Sequence, residues 1–245
     1  MLHFLKPKPF LRDLIPDNYV DIHSHLLPGI DDGATSIENT AILIGELNKI
    51  GFKKFITTPH VLGDVWKNSR IQIEEKAKKT IEDLDIANLK NHFKTAAEYM
   101  IDEEFRELFK REKLLTLKDN YVLVELSYLN PPIQLYDILF ELQVAGYQPI
   151  LAHPERYVFY HHSLSEYRKL KNAGCLFQFN MLSATGYYGA NVLKTTDALL
   201  KEGLIDFVGS DVHHIRHIDA IHKKIVLKNY EYLYSVFQNN STFDF

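Results

Sequence analysis

The sequence predicts a single α/β domain, closed or nearly closed into a distorted seven-stranded (β/α) barrel. Three observations point there. Short apolar runs alternate with helical patterns seven times over, as parallel strands joined by right-handed crossovers require. The strand segments are brief and rich in apolar residues, as expected when helices cover them. Finally, the His, Asp and Glu residues fall at the carboxyl ends of those strands, the face on which barrel active sites are built. An open doubly wound sheet is the competing architecture. No linker, repeat or low-complexity run divides the 245 residues, a length that suits one core.

The elements follow in order. Residues 1–18 form an N-terminal extension, and residues 19–245 form the domain with a helical C-terminal tail. Pro7, Pro9, Lys6, Lys8 and Arg12 break any apolar run in the extension, so it lacks the core of a signal peptide. It is expected to pack as a short helix or to hold a partner. Tyr19–His25 reads as the first strand. Thr35 and Glu38 form a capping-box pattern before a helix over Ile37–Ile50 that Gly51 closes. Phe52–Thr58 is the second strand, and Ser69–Ala87 a charged amphipathic helix. His92–Tyr99 is the third strand, followed by a helix around Glu103–Arg111. Tyr121–Leu126 is the fourth, followed by a helix over Ile133–Ala145 closed by Gly146. Gln148–Ala152 is the fifth. Ser163 and Glu166 repeat the capping box before a helix ending at Gly174. Leu176–Asn180 is the sixth strand, Asn191–Glu202 a helix, and Ile205–Ser210 the seventh strand. The stretch over Ile218–Phe237 is expected to be helical.

Composition narrows the chemistry. Twelve His stand against one Cys, Cys175. A single Cys excludes an internal disulfide framework and a Cys-rich zinc site, so any metal must be held by His, Asp and Glu, the donors typical of open catalytic sites. The net charge of -4 argues against a nucleic-acid partner, which needs a track of Lys and Arg. No stretch approaches 18 apolar residues, so membrane insertion is not expected, and a cytoplasmic location is the default. No Gly-rich loop follows the first strand, which disfavours a dinucleotide site.

The candidate ligands are His23 and His25 on strand one, His60 after strand two, Glu98 on strand three, Glu125 on strand four, His153 after strand five, and Asp211 and His213 after strand seven. Residues two apart on a strand share a face, so His23 and His25 can reach one ion. Strand six ends in Asn180 and supplies no obvious ligand. Six strand ends with ligand-type side chains converging on one face would be costly without a counter-charge, which favours a metal site. Asp31-Asp32-Gly33 reads equally as a turn or as a further carboxylate ligand. Imidazoles with carboxylates suit divalent Mn, with Fe or Zn as alternatives. A carboxylate shared by two such ions is the arrangement of two-metal phosphatases.

Together Asp21-Ile-His-Ser-His25, Asp31-Asp-Gly33, Thr57-Thr-Pro-His60, Ala97-Glu-Tyr99, Val124-Glu-Leu126, His153-Pro-Glu-Arg156 and Ser210-Asp-Val-His213 closely resemble the PHP (polymerase and histidinol phosphatase) superfamily, a TIM-barrel-like group. More narrowly, the chain resembles the metal-dependent protein-tyrosine phosphatases found with bacterial capsule and exopolysaccharide genes. The likeness runs from about Tyr19 to Arg216. It implies a cluster of two or three divalent ions. One ion would take His23, His25, Glu98 and Asp211, a second Glu98, Glu125 and His153, and a third Asp32, His60 and His213. It also implies that Arg156 and Arg216 bind phosphate, and that the substrate is a phosphotyrosine protein, namely the Tyr-rich tail of a bacterial tyrosine kinase. The rival covalent route needs a Cys with an Arg six positions on, but position 181 is Met181. Tyr128, Tyr187 and Tyr188 are candidates to line the cleft. A histidinol-phosphatase-like small-molecule phosphomonoesterase and a non-catalytic metal-binding module are the alternative readings.

Overall fold

A computed structural model describes residues 7–84 and 92–245. Among the described residues, nine strands form two sheets in which every strand pairing is parallel. The smaller holds β1 (Tyr19–Asp21), β2 (Phe52–Thr57) and β4 (Phe93–Thr95) in that order. The larger runs β3 (His60–Val61), β5 (Glu98–Met100), β6 (Tyr121–Glu125), β7 (Gln148–Ala152), β8 (Leu176–Asn180) and β9 (Phe207–Gly209). Eight helices accompany them: α1 (Ile37–Ile50), α2 (Arg70–Asp83), α3 (Glu103–Arg111), α4 (Leu135–Val144), α5 (Leu164–Asn172), α6 (Ala190–Lys201), α7 (Ile215–Ile221) and α8 (Leu233–Asn239).

The strand pattern departs from expectation in instructive places. The third expected strand breaks at Ala96-Ala97 into β4 and β5. The second ends at Thr57, and a separate pair of residues, β3, resumes after Pro59. Proline has no N–H to give a ladder, and the Thr57 hydroxyl and Thr58 N–H both turn to the carbonyl of Ser24. The first strand stops at Asp21. Beyond it, the chain bonds to the segment after β9: Asp211 N–H donates to His23 O at 2.8 Å and His25 N–H to Val212 O at 3.0 Å. These bonds make a parallel bridge, Ser24 to Val212, that joins the two sheets beyond β1 and β9.

Two apolar clusters follow from side-chain alternation. On β6, Val122 and Val124 join the large cluster packed under the helices, whereas Leu123 belongs to a smaller one on the opposite face with Val20, Ile56, Ile150, Phe207 and Phe243. Phe243 is fully buried there.

Helix ends correct three expectations. Ser36, not Thr35, caps α1, accepting from Asn39 N–H at 3.3 Å, and Gly51 closes it with φ 112°. Ser163 makes no side-chain cap; its hydroxyl pairs with Ser165 instead. Ser69 and Gln72 do form a capping box on α2, which the sequence reading passed over. The C-terminal stretch expected to be helical is helical only at its ends, in α7 and α8. Between them the backbone bonds elsewhere: Lys223 O accepts from Leu11 N–H, Ile225 N–H donates to Pro9 O, and the Asp197 carboxylate takes the N–H groups of Lys228 and Asn229. The N-terminal segment thus packs on the domain, with Leu11 and Leu14 buried in a short 3-10 turn. Residues 1–6 and the expected end of the second helix at residues 85–87 lie outside the described residues.

Candidate metal centre

The nine candidate ligands converge in two layers. The inner layer is buried: His23, His25 and Glu98 are 0 % exposed, His153 and Asp211 2 %, Glu125 3 %. The outer layer sits at the rim, with the side chains of His60 and His213 at 13 % and 14 % exposure and that of Asp32 at 53 %. Backbone conformation aims two of the inner groups. His153 and Asp211 adopt φ of 35° and 51°, the left-handed region that non-glycine residues pay to enter.

Glu98 is the hub. Its Oε1 lies 3.1 Å from His153 Nε2, and its Oε2 lies 3.2 Å from both His23 Nε2 and His60 Nδ1. Glu125 Oε1 is 2.9 Å from His60 Nδ1. Asp211 Oδ1 is 3.3 Å from His23 Nε2 and 3.4 Å from His25 Nε2. Asp32 Oδ1 reaches His213 Nε2 at 3.4 Å and His60 Nε2 at 3.6 Å. Donor atoms close enough to share an ion form four sets: His25, Asp32, His60 and His213; His23, Glu98 and His153; His23, His25 and Asp211; and His60, Glu98 and Glu125. The pairing expected of Glu125 with His153 is therefore looser than expected. Each meets Glu98, but Glu125 stands nearer His60.

Electrostatics show how the cluster balances its charge. Burial opposes the charge on Glu98 and Asp211, yet His23 and its neighbours hold both well below the usual carboxylate range. Burial also works against charge on His23, but Glu98 and Asp211 outweigh it and push that imidazole to about 9. Burial, with the nearby Arg156, lowers His153 to about 4, leaving it a neutral donor. Glu125 is raised by burial and by Glu98. Protons on imidazoles are thus the positive charge balancing these carboxylates, and divalent cations would take their place. Glu98 Oε2 and His153 Nδ1 are buried without a hydrogen-bond partner among the described residues. That donor set fits the implied ions.

A second ring of residues orients the ligands. Asp31, fully buried behind its neighbour Asp32, accepts from His25 Nδ1 at 2.8 Å, from Gly33 N–H and from His60 N–H. Gln178 Oε1 accepts from His23 Nδ1 at 2.7 Å. Asn180, which supplies no ligand, donates from Nδ2 to Asp211 Oδ2 at 2.7 Å. Glu155 is buried inside the His-Pro-Glu-Arg turn, and its Oε1 accepts from Asn180 N–H and the Ser183 hydroxyl. The sequence signals for these were faint: Asp31 and Glu155 lie inside recognised motifs, whereas Gln178 and Asn180 act across strands. Two glycines are forced by close approach. A Cβ on Gly33 would collide with the carbonyl oxygen and Cβ of His25, and one on Gly209 would come within 2.6 Å of His23 Cβ.

Arg156 lies in the site. Its Nη1 donates to Asp211 Oδ2 at 2.7 Å, and the guanidinium packs between the rings of Tyr188 and Tyr128, at 4.4 and 5.1 Å. Tyr128 also stacks on His153 at 5.9 Å, and Tyr187 meets both Tyr188 and His217 edge-on. Of the three candidate cleft tyrosines, Tyr128 touches a candidate ligand, Tyr188 touches Arg156, and Tyr187 packs one ring further out. Arg216 is exposed in the first turn of α7, with no ion pair among the described residues. Trp66, which the sequence did not single out, stacks on His60 at 4.9 Å. Cys175 is buried just before β8, at the opposite strand end, and burial pushes its thiol up to about 12.

The family model described as capsular polysaccharide synthesis, CpsB/CapC, matches residues 19–240. Tyrosine-protein phosphatase YwqE of Bacillus subtilis is 29% identical over 198 residues, covering 80% of this chain and 78% of the relative. The putative tyrosine-protein phosphatase CapC of Staphylococcus aureus is 29% identical over 197 residues, covering 80% and 77%. Among solved structures, a chain from the work on YwqE of Bacillus subtilis and CpsB of Streptococcus pneumoniae, described as unique metal-dependent tyrosine phosphatases, superposes with a TM-score of 0.79. It shares 26% identity and covers 92% of this chain and 94% of its own.

Proposed function

Because the chain belongs to the CpsB/CapC family of capsular polysaccharide synthesis, we propose that it is a metal-dependent phosphotyrosine protein phosphatase that works without a cysteine nucleophile. The observation that carries this is the convergence of His23, His60, His153 and Glu125 on one buried carboxylate, Glu98, beneath an arginine. We read the nine strands as a seven-stranded barrel whose second and third strands are each interrupted. Residues 1–18 are then an extension added to a domain over 19–245.

In this reading His23, His25, Asp32, His60, Glu98, Glu125, His153, Asp211 and His213 hold two or three divalent ions, Mn foremost. Such ions, when bound, polarise phosphate oxygens and acidify water. The chain's own residues do the rest. Glu98 holds neighbouring ligand sets together. Asp31 and Gln178 each accept the Nδ1 proton of a histidine, leaving Nε2 of His25 and His23 free to ligate. Arg156, fixed by Asp211 and two tyrosine rings, presents its remaining N–H groups to phosphate oxygens, whose geometry a guanidinium matches. Arg216 supplies a second positive charge from the rim. A tyrosine phenolate, with an ordinary pKa near 10, leaves more readily than an alkoxide. The substrate we assign is the Tyr-rich tail of a bacterial tyrosine kinase that controls polysaccharide export, met in the cytoplasm.

The test compares hydrolysis of phosphotyrosyl peptides with that of histidinol phosphate by Mn-loaded protein. The peptides should be strongly preferred. Preference for the small substrate would replace this reading with a small-molecule phosphomonoesterase, and metal binding without turnover of either would leave a non-catalytic module.

A further inference from the structure

The loop after β3 places an indole beside the metal centre. Leu62 and Trp66 exchange backbone hydrogen bonds, Leu62 N–H to Trp66 O at 3.0 Å and Trp66 N–H to Leu62 O at 2.9 Å. The turn they close lays the Trp66 ring on His60, with planes 14° apart. Asn68 ties the same loop to the site by donating to the carbonyls of His60 and Ile30. Trp66 stays only partly buried and also walls a cavity of about 470 Å³ that runs from this rim along α3. Val61, Tyr99, Met100, Phe105 and Leu108 supply much of its remaining apolar lining.

The charges around the mouth are largely paired already. Arg70 binds Glu74 and the Lys113 carbonyl, Arg111 pairs with Glu112, Lys67 with Asp64, Glu103 with Arg106, and Glu107 with Lys110. Asp102 is occupied in capping α3. Glu104 and Lys113 also line the cavity, without an ion pair among the described residues, but most of the exposed lining is apolar, which favours an apolar group, and its volume is that of a ligand site. Trp66 stands between it and the metal centre, lining the cavity and stacking on His60, so an occupant would sit across one ring from the candidate ligands.

We propose that this cavity is a specificity subsite for a bulky apolar side chain near the phosphotyrosine in the protein substrate. The proposal rests on the phosphotyrosine reading above. An extended peptide advances about 3.3 Å per residue, so residues within three positions of the phosphotyrosine are the ones close enough in the chain to anchor there. Tethered to the bound phosphotyrosine, that side chain enters at high effective concentration. Discrimination then arises from the sequence around the phosphotyrosine as well as from the phosphoryl group.

The experiment scans phosphotyrosyl peptides on Mn-loaded protein, placing Leu or Phe at each of three positions on either side of phosphotyrosine in a Ser background. Free phosphotyrosine is the reference substrate. At least one apolar position should raise kcat/KM about tenfold, mainly through KM. Leu108→Arg should abolish that gain and leave turnover of free phosphotyrosine within about twofold of wild type, since Leu108 touches no ligand. Leu108→Gln carries the same test if the Arg variant does not fold. A flat scan on the wild type, or a gain that survives in the Leu108 variants, would overturn the subsite. Wild-type protein that hydrolyses no phosphotyrosyl substrate would instead overturn the phosphatase reading.

Discussion

Replacing Arg156 by Ala separates phosphate binding from metal binding. The structure explains why the two should come apart. Asp211 divides its oxygens: Oδ1 faces His23 and His25, whereas Oδ2 accepts from both Arg156 Nη1 and Asn180 Nδ2, each at 2.7 Å. Without Arg156, Asn180 still holds Oδ2, so the ligand geometry at Oδ1 survives. What disappears is the guanidinium proposed above to bind phosphate. Removing one donor to charge developing in a transition state costs about 3–4 kcal/mol, or roughly 100- to 1,000-fold in rate. Arg156→Ala should therefore cut kcat/KM on a phosphotyrosyl peptide by about two orders of magnitude. Its bound metal, measured by elemental analysis after gel filtration, should equal wild type. Arg156→Lys should recover little, because an ammonium offers neither a planar fork nor the same stacking between Tyr128 and Tyr188. Metal loss in step with activity would show that Arg156 acts by holding Asp211. Turnover within about threefold of wild type would remove it from the phosphate site altogether.

His153→Ala should lose an ion and nearly all turnover, with little loss of fold; near-wild-type kinetics in metal-replete buffer would refute its place as a ligand. Gly33→Ala should displace His25 and cost about 1–3 kcal/mol of stability, so denaturant unfolding and metal content should fall together; an unchanged midpoint would contradict the close approach. Metal loading should release protons and strengthen as pH rises from 6 toward about 9, because His23, raised to about 9, must give up its proton to bind an ion. The same proton stabilises the metal-free fold fully below about 6.5, the imidazole's ordinary value, and that contribution drains away as pH climbs through about 9. Calorimetry in buffers of different ionisation enthalpy reads the released protons, and their absence would show that His23 is already neutral.

The convergence of the candidate ligands was legible because parallel strands bring their carboxyl ends to one face, so residue type and strand position together singled out His23, His60, Glu98 and the others. Strand continuity was not legible. Phe52–Thr58 and His92–Tyr99 each read as one run, since nothing local marks the break at Ala96-Ala97, and the turn at Thr57-Thr58 depends on Ser24, more than thirty residues away. The tail over Ile218–Phe237 carried a helical pattern, but its middle satisfies its backbone against Pro9, Leu11 and Asp197. The orienting residues escaped for a related reason. Gln178 meets His23 across 155 positions, and Trp66 reaches His60 only through the Leu62–Trp66 turn. Neither relation has a local sequence signature. Asp31 and Asp32 show the same limit at short range: adjacent and chemically alike, one is buried behind His25 and the other faces His213.

The site's geometry is set by the backbone more than by its charges. His153 and Asp211, both in the left-handed region, are pinned there by main-chain bonds: His153 N–H to Gln178 O at 2.7 Å, Asp211 N–H to His23 O at 2.8 Å. Asp21, itself buried, takes the N–H and hydroxyl of Ser210 and fixes the turn that leads into Asp211. Gln178 joins the two ends of this frame, since its carbonyl holds His153 and its side chain holds His23. None of these bonds involves a ligand atom that an ion would claim. The frame can therefore stand while imidazole protons balance the carboxylates, and ions can replace those protons without rebuilding it. A cluster preorganised in this way needs no large rearrangement to load, and its ligands stay aimed as phosphate arrives.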